Sequence, residues 1–167
     1  MFPHRNANEN KVEAVDIRNT FITVADDSDV HMSKIPTLKD DKPSVARVHY
    51  DILSQHPYEY DIDSFNFEVF CRRNHIAAKD RDAHREVFFS KNHPCMRASP
   101  LTKTHGFGAH YNGAGKIAIY PVDSKAYGKL AGDPANRVEM AMRSKRPSVE
   151  GTGTNPGIRP QGLHTAA

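Results

Sequence analysis

Short apolar runs bounded by turn residues predict five strands, at 19–27, 95–99, 106–111, 116–122 and 137–146. The first run, NTFITVADD, ends in the acidic turn DDSD. NGAG (112–115) separates the third run from the fourth and predicts a hairpin, because asparagine and glycine tolerate positive φ. The three middle runs therefore predict a meander. In the last run Val138, Met140 and Met142 alternate onto one face.

Four other segments have helical spacing of their apolar residues, namely 45–56, 61–74, 79–92 and 123–132. Three of them begin at capping residues, Ser44 for the first, Asp61 or Asp63 for the second, and Asp123 or Ser124 for the fourth. The second segment also alternates like a strand, but its caps and the i,i+4 spacing of Glu68 and Arg72 favour a helix. The third is mostly charged, and we expect Val87, Phe88 and Phe89 to anchor it.

The sum of these elements predicts an α+β fold, with an antiparallel β-sheet of about four or five strands and helices packed on one face. Residues 13–146 form one domain in this interpretation. Residues 1–12 carry little apolar periodicity, and residues 147–167 are rich in glycine, proline and threonine, so both ends are predicted to be flexible.

Composition narrows the classes of function. The formal net charge is +3, too small for a general polyanion binder, so nucleic acid is not an expected partner. No run of eighteen apolar residues and no signal-peptide core occurs, which predicts a cytoplasmic protein without a membrane partner. The two cysteines, Cys71 and Cys95, are expected to be free thiols in such a compartment.

Two chemical constellations have simpler structural explanations. Cys71, His75, His93 and Cys95 include the ligand types that zinc prefers, but their spacings match no standard zinc pattern, so we expect no metal. A nucleotide-binding loop is also missing, and no cofactor is predicted. Cys95 is the alternative nucleophile of a small enzyme, with His93, His105 or His110 as its base. As a packed apolar side chain, Cys95 would need none of these partners.

A third constellation is cationic. Arg97 and Arg143 each follow a methionine in a predicted strand, and neighbouring strands would let the two guanidinium groups form a fork for a phosphate or carboxylate. The anion-binding candidates are Arg97, Lys103, His105, His110 and Arg143. The alternative explanation is a charged sheet edge, where Lys and Arg discourage aggregation of strands.

Several segments resemble, in this order, a family of small proteins known only as a domain of unknown function. They are NTFITVADD, RASPL, GFGAHY and MRSKR, and the resemblance spans roughly residues 18–146. It implies domain boundaries and no activity. From the residues we predict an uncharacterised α+β domain that binds a small anionic ligand or an acidic segment of a partner. The alternatives are an enzyme that uses Cys95 and a protein interaction module, the latter if Tyr58 and Tyr60 form an exposed patch.

Overall fold

The computed structural model describes residues 16–39 and 41–144. Its elements are β1 (Thr20–Thr23), β2 (Leu38–Lys39), β3 (Lys42–Pro43), α1 (Val45–Gln55), α2 (Ile62–Arg73), α3 (Arg81–Phe89), α4 (Pro100–Lys103), β4 (Phe107–Tyr111), β5 (Ile117–Pro121), α5 (Lys125–Gly132) and β6 (Arg137–Met140). Short 3-10 turns precede α3 and α4. The predicted flexible segments 1–12 and 147–167, and the last two cations of the final predicted strand, Lys145 and Arg146, lie outside the described residues.

The predicted α+β class is confirmed, and the main sheet has four strands in the order β5-β4-β1-β6. β4 pairs antiparallel with both β1 and β5, as predicted. β6 pairs parallel with β1, so the sheet is mixed and not antiparallel throughout. Alternation of side chains does not encode strand direction. Here α5 carries the chain back across the sheet between β5 and β6, the crossover that parallel strands require.

The inner face of the sheet carries the main hydrophobic core. Ile22, Ala109 and Tyr111 on this face are almost fully buried, and they pack in one cluster with Ile52 and Leu53 of α1. Helices α2 and α4 complete the same cluster. The Tyr111 hydroxyl accepts a hydrogen bond from the Met96 amide at 3.0 Å, so the chain that leads to α4 is fixed to the sheet.

α5 lies on the opposite, outer face, which corrects the expectation that all helices pack on one side. Tyr127 of α5 packs edge-on against Phe21, with ring centroids 5.0 Å apart. Gly108 allows this contact, because a Cβ there would lie 2.5 Å from the Phe21 ring and 2.7 Å from the Tyr127 ring. The alternation of residues along the strands therefore did not reveal that apolar side chains on the outer face are also covered by a helix.

The predicted caps and hairpin are confirmed. The side chains of Ser44, Asp61 and Ser124 each accept a hydrogen bond from the backbone N–H three residues later. Asn112 Oδ1 accepts from the amides of Ala114 and Lys116 and closes the hairpin between β4 and β5. The ambiguous second segment is helical, as favoured.

Two local predictions are wrong. Residues 95–99 do not form a strand, because Met96–Ala98 is a 3-10 turn that leads into α4, with Ser99 as the cap and Pro100 in the first helical turn. Serine as a cap and proline in the first turn both favour the start of a helix. The predicted meander therefore lacks its first strand. Val87 does not anchor α3, since it is 65% exposed, whereas Phe88 is buried.

Both outer strands of the main sheet are partly covered. Along β5, the Tyr58 amide donates to Ile117 O and the Ile117 amide donates to Tyr60 O. Along β6, Arg97 Nε donates to Met140 O and the Met142 amide donates to Arg97 O, both at 2.8 Å. Such cover limits pairing with other chains. Among the described residues, no helix is long and apolar enough to cross a membrane.

Candidate functional site

The predicted anion-binding residues make their hydrogen bonds in separate places. Arg97 lies in the 3-10 turn, not in a strand, and its Nε is bonded to β6. His105 uses Nδ1 to contact Pro100 O and Thr104 Oγ1, each at 3.0 Å. Lys103 is the last residue of α4 and makes no side-chain hydrogen bond within the described ranges.

Arg143 follows β6 and holds Asp26 in a bidentate ion pair. Its Nε and Nη2 lie 2.9 and 2.6 Å from the two carboxylate oxygens. Hydrogen bonding to Asp26 raises the pKa of Arg143. The predicted fork with Arg97 would therefore compete with Asp26 for the Arg143 guanidinium, whereas Arg97 uses only its Nε, on Met140 O.

His110 belongs to a hydrogen-bonded network on the outer face of the sheet. Asn136 Nδ2 donates to Leu130 O, which turns Asn136 Oδ1 toward His110 Nε2 at 3.0 Å. Nε2 therefore carries the proton, and Nδ1 accepts from the Tyr58 hydroxyl at 2.9 Å. Tyr120 in turn donates to the Tyr58 oxygen at 2.6 Å. Tyr58 is thus half-buried and bonded, unlike a residue of an exposed aromatic patch.

Cys95 has no histidine as a hydrogen-bond partner among the described residues. His93 Nε2 donates to Phe88 O at 2.7 Å, and His105 and His110 are engaged as described above. Cys95 packs against the main core, and Cys71 is buried with Phe67 and Phe88. Within the described ranges, no group of three or more His, Cys, Asp or Glu side chains is placed to hold a metal ion.

A cleft opens where α1, α2 and α3 meet the segment 93–100. Its volume is about 480 Å³, and we call it the helix cleft. The helices line it with His49 from α1, Asn66, Val69, Phe70 and Arg73 from α2, and Phe88 from α3. Volumes of this size are typical of small-molecule sites. Among the described residues that line the cleft, none is acidic.

Arg73 is the cation of the helix cleft. It is exposed at the end of α2, and within the described ranges its side chain makes no hydrogen bond and has no carboxylate partner. Its neighbour Arg72 differs, because Glu68 holds both Arg72 and Arg81 at 2.7 and 2.6 Å. A cation at a helix C-terminus is favourable in itself, so Arg73 is stable without a partner.

Two asparagines give the cleft fixed polar groups. Asn66 Nδ2 donates to Pro94 O at 2.9 Å, and Asn74 Nδ2 donates to Phe70 O at 2.8 Å. Each amide nitrogen has a second N–H that these bonds do not use. The cleft is thus lined by amide N–H donors and by the Arg73 guanidinium, the donor types that bind carboxylates and phosphates.

His49 forms the inner wall of the cleft and is neutral at pH 7. Burial, and then the positive charge of Arg73, lowers its pKa to about 4. Its Nδ1 lies 2.9 Å from Ser99 Oγ, and its ring packs edge-on against Phe65. These contacts place His49 at the edge of the main core.

Sequence reasoning missed Arg73, Asn66 and Asn74 as site residues. All three lie on α2 or directly after it, and their spacing of seven and eight residues places them on one helical face. The segment was predicted to be a helix from its caps and from the spacing of Glu68 and Arg72, and these three polar residues were not separated from ordinary surface residues. The signal that could have found them is the spacing of one cation and two side-chain amides along one face of α2.

Comparison with known proteins gives a family and no activity. The model of a family of unknown function, DUF6157, matches residues 12–147. No curated protein and no solved structure matches the chain. The match covers most of the sequence and agrees with the resemblance seen in its motifs, and we conclude that this chain belongs to the DUF6157 family of unknown function.

Proposed function

We propose that the protein binds a small organic anion in the helix cleft, with Arg73 as the charged contact. The observation that carries this proposal is a guanidinium without a carboxylate partner among the described residues, at a cleft of about 480 Å³ without acidic lining. The class of ligand is the one that the sequence suggested. The residues differ, because Arg97 and Arg143 already hold groups of the protein itself.

The charge of Arg73 would bind the anionic group of the ligand, and neutral polar groups of the cleft would surround it. A carboxylate can accept two parallel hydrogen bonds from the Arg73 guanidinium, and the free N–H of Asn74 lies in the same wall. His49 stays neutral, so it adds no charge and presents a ring to the ligand. An acidic segment of a partner protein is the alternative occupant, but it would extend beyond a cleft of this volume.

The test compares two arginine variants that change the net charge equally. Arg73→Met removes the proposed contact. Arg137→Met removes an arginine that is 78% exposed and lies on β6, outside the cleft. Butyrate at about ten times its Kd should stabilise the wild type and R137M by about 1.4 kcal/mol, and R73M by almost nothing. Equal thermal shifts in R73M and R137M would contradict the proposal.

A further inference from the structure

A second cavity adjoins the helix cleft. Its volume is about 210 Å³, and it shares Phe70, Phe88 and His93 with the cleft as lining residues. Its remaining wall comes from α3 and the residues after it, with His84, Val87 and Lys91. The two cavities therefore border the same three aromatic rings.

The wall that the cavities share consists of three rings in mutual contact. The His93 ring stacks on Phe88 with ring centroids 3.7 Å apart and an angle of 8° between the planes. The hydrogen bond from His93 Nε2 to Phe88 O holds this stack in place. Phe70 packs against Phe88 at 5.0 Å. A hydrocarbon or aromatic group that leaves the helix cleft would contact ring surfaces that need no rearrangement.

The second cavity differs from the first in chemistry. Its surface is almost wholly apolar, and Val87, one of its lining residues, is 65% exposed on a helix whose other exposed positions are mostly charged. Lys91 contributes its aliphatic stem to the wall, while its ammonium group can reach solvent. The paired cavities thus present a cation at one end and an apolar surface at the other.

A cation at one end and an apolar surface at the other favour a ligand that has both an anionic and an apolar part. We propose that the anion is amphipathic, with a carboxylate at Arg73 and an apolar tail that follows Phe70 and Phe88 into the second cavity. The inference rests on the proposed function and adds the class of ligand, a medium-chain or aromatic monocarboxylate. The orientation follows from the two surfaces, because Arg73 is the only guanidinium among the described lining residues, whereas the wall that contains Lys91 is almost wholly apolar.

Isothermal titration calorimetry of the full chain with butyrate, hexanoate and octanoate tests the tail. Affinity should rise with chain length, by about fourfold for each methylene that becomes fully buried. Equal affinities for the three acids, each lost in Arg73→Met, would overturn the tail and leave the proposed function standing. Binding that ignores Arg73→Met, or no binding of any of the three acids, would overturn the proposed function itself.

Two further comparisons locate the tail. Val87→Ser should lower the ratio of octanoate to butyrate affinity, whereas Val138→Ser, an equal change at a valine that is 45% exposed on β6, should leave the ratio unchanged. An unchanged ratio in V87S would place the tail elsewhere and overturn the inference. Suberate has a second carboxylate at the far end of eight carbons and should bind more weakly than octanoate. Tighter binding of suberate, lost in Lys91→Met, would show a dianion site instead.

Discussion

Arg97 binds β6 twice, since its Nε donates to Met140 O and its own carbonyl oxygen accepts from the Met142 amide, both at 2.8 Å. These bonds cover the C-terminal half of an outer strand whose outward side chains are apolar. Val138, Met140 and Met142 remain 45%, 47% and 51% exposed. The same arginine that the sequence suggested as an anion ligand thus protects a sheet edge, which was the alternative explanation of its charge.

Replacement of Arg97 should uncover that edge. We expect Arg97→Ala to lose about 1 kcal/mol of unfolding free energy, the contribution of a typical hydrogen bond, and to self-associate at concentrations where the wild type does not. Size-exclusion chromatography with light scattering measures the association. Lys103→Ala is the control, because it removes an equal charge without a side-chain hydrogen bond within the described ranges. Equal behaviour of the two variants would contradict an edge-covering role.

Neutralisation of Glu68 should cost more unfolding free energy than neutralisation of an exposed carboxylate. It is 8% exposed and binds Arg72 and Arg81, and although burial raises its pKa, the hydrogen bonds from the two arginines outweigh burial and lower it. Glu68→Gln should lose about 3 kcal/mol, because two guanidinium groups lose their shared partner. Glu59→Gln, at an exposed pair with His56, should change stability by about 0–1 kcal/mol. Chemical denaturation of both variants measures the difference.

The loss of unfolding free energy at acid pH should include a contribution from His49. Its pKa of about 4 in the folded protein lies below the ordinary value of 6.5, so the unfolded chain takes up a proton first as the pH falls. Its stabilising contribution is present above pH 6.5 and is lost as the pH falls toward 4, by up to about 3 kcal/mol. Unfolding of the wild type and His49→Phe from pH 7 to 4 should show a smaller loss in the variant.

Arg73 should influence the same titration. Because its charge contributes to the low pKa of His49, Arg73→Met should raise that pKa, whereas Arg137→Met should leave it unchanged. NMR titration of the His49 ring measures both values. An identical pKa in R73M and the wild type would mean that the charge of Arg73 does not reach the inner wall of the cleft.

The outer-face network predicts one tautomer of His110. Neutral His110 should carry its proton on Nε2, because Asn136 presents its oxygen there and Tyr58 donates to Nδ1. Tyr58→Phe should remove that donor and cost about 1 kcal/mol. Nitrogen-15 NMR of the imidazole identifies the tautomer. A proton on Nδ1 would contradict this hydrogen-bond arrangement.

Local signals predicted most of the elements. Ser44, Asp61 and Ser124 cap helices, and Asn112 closes the hairpin, because each acts on a backbone group only a few residues away. The failure at residues 95–99 has a local origin too. Ser99 and the proline after it are local signals for the start of a helix, and residues 95–99 were assigned to a strand without regard to them.

The site was not predictable in the same way, because its properties depend on distant partners. Arg143 and Asp26 are separated by 117 positions in the sequence, so the sequence did not show that a fork of Arg97 and Arg143 would compete with an ion pair. Arg73, in contrast, has no carboxylate partner among the described residues. Its sequence neighbours suggest another paired surface charge, and only the packing of α1 and α3 beside α2 leaves it at a cleft.

Binding in the helix cleft is tested by titration of the nitrogen-15-labelled protein with hexanoate, followed by amide chemical shifts. We predict that the largest changes occur around Arg73, Asn74 and Asn66, and that they disappear in Arg73→Met but persist in Arg137→Met. Changes concentrated instead at Arg97 and Arg143, or a response that survives Arg73→Met, would contradict binding in the helix cleft.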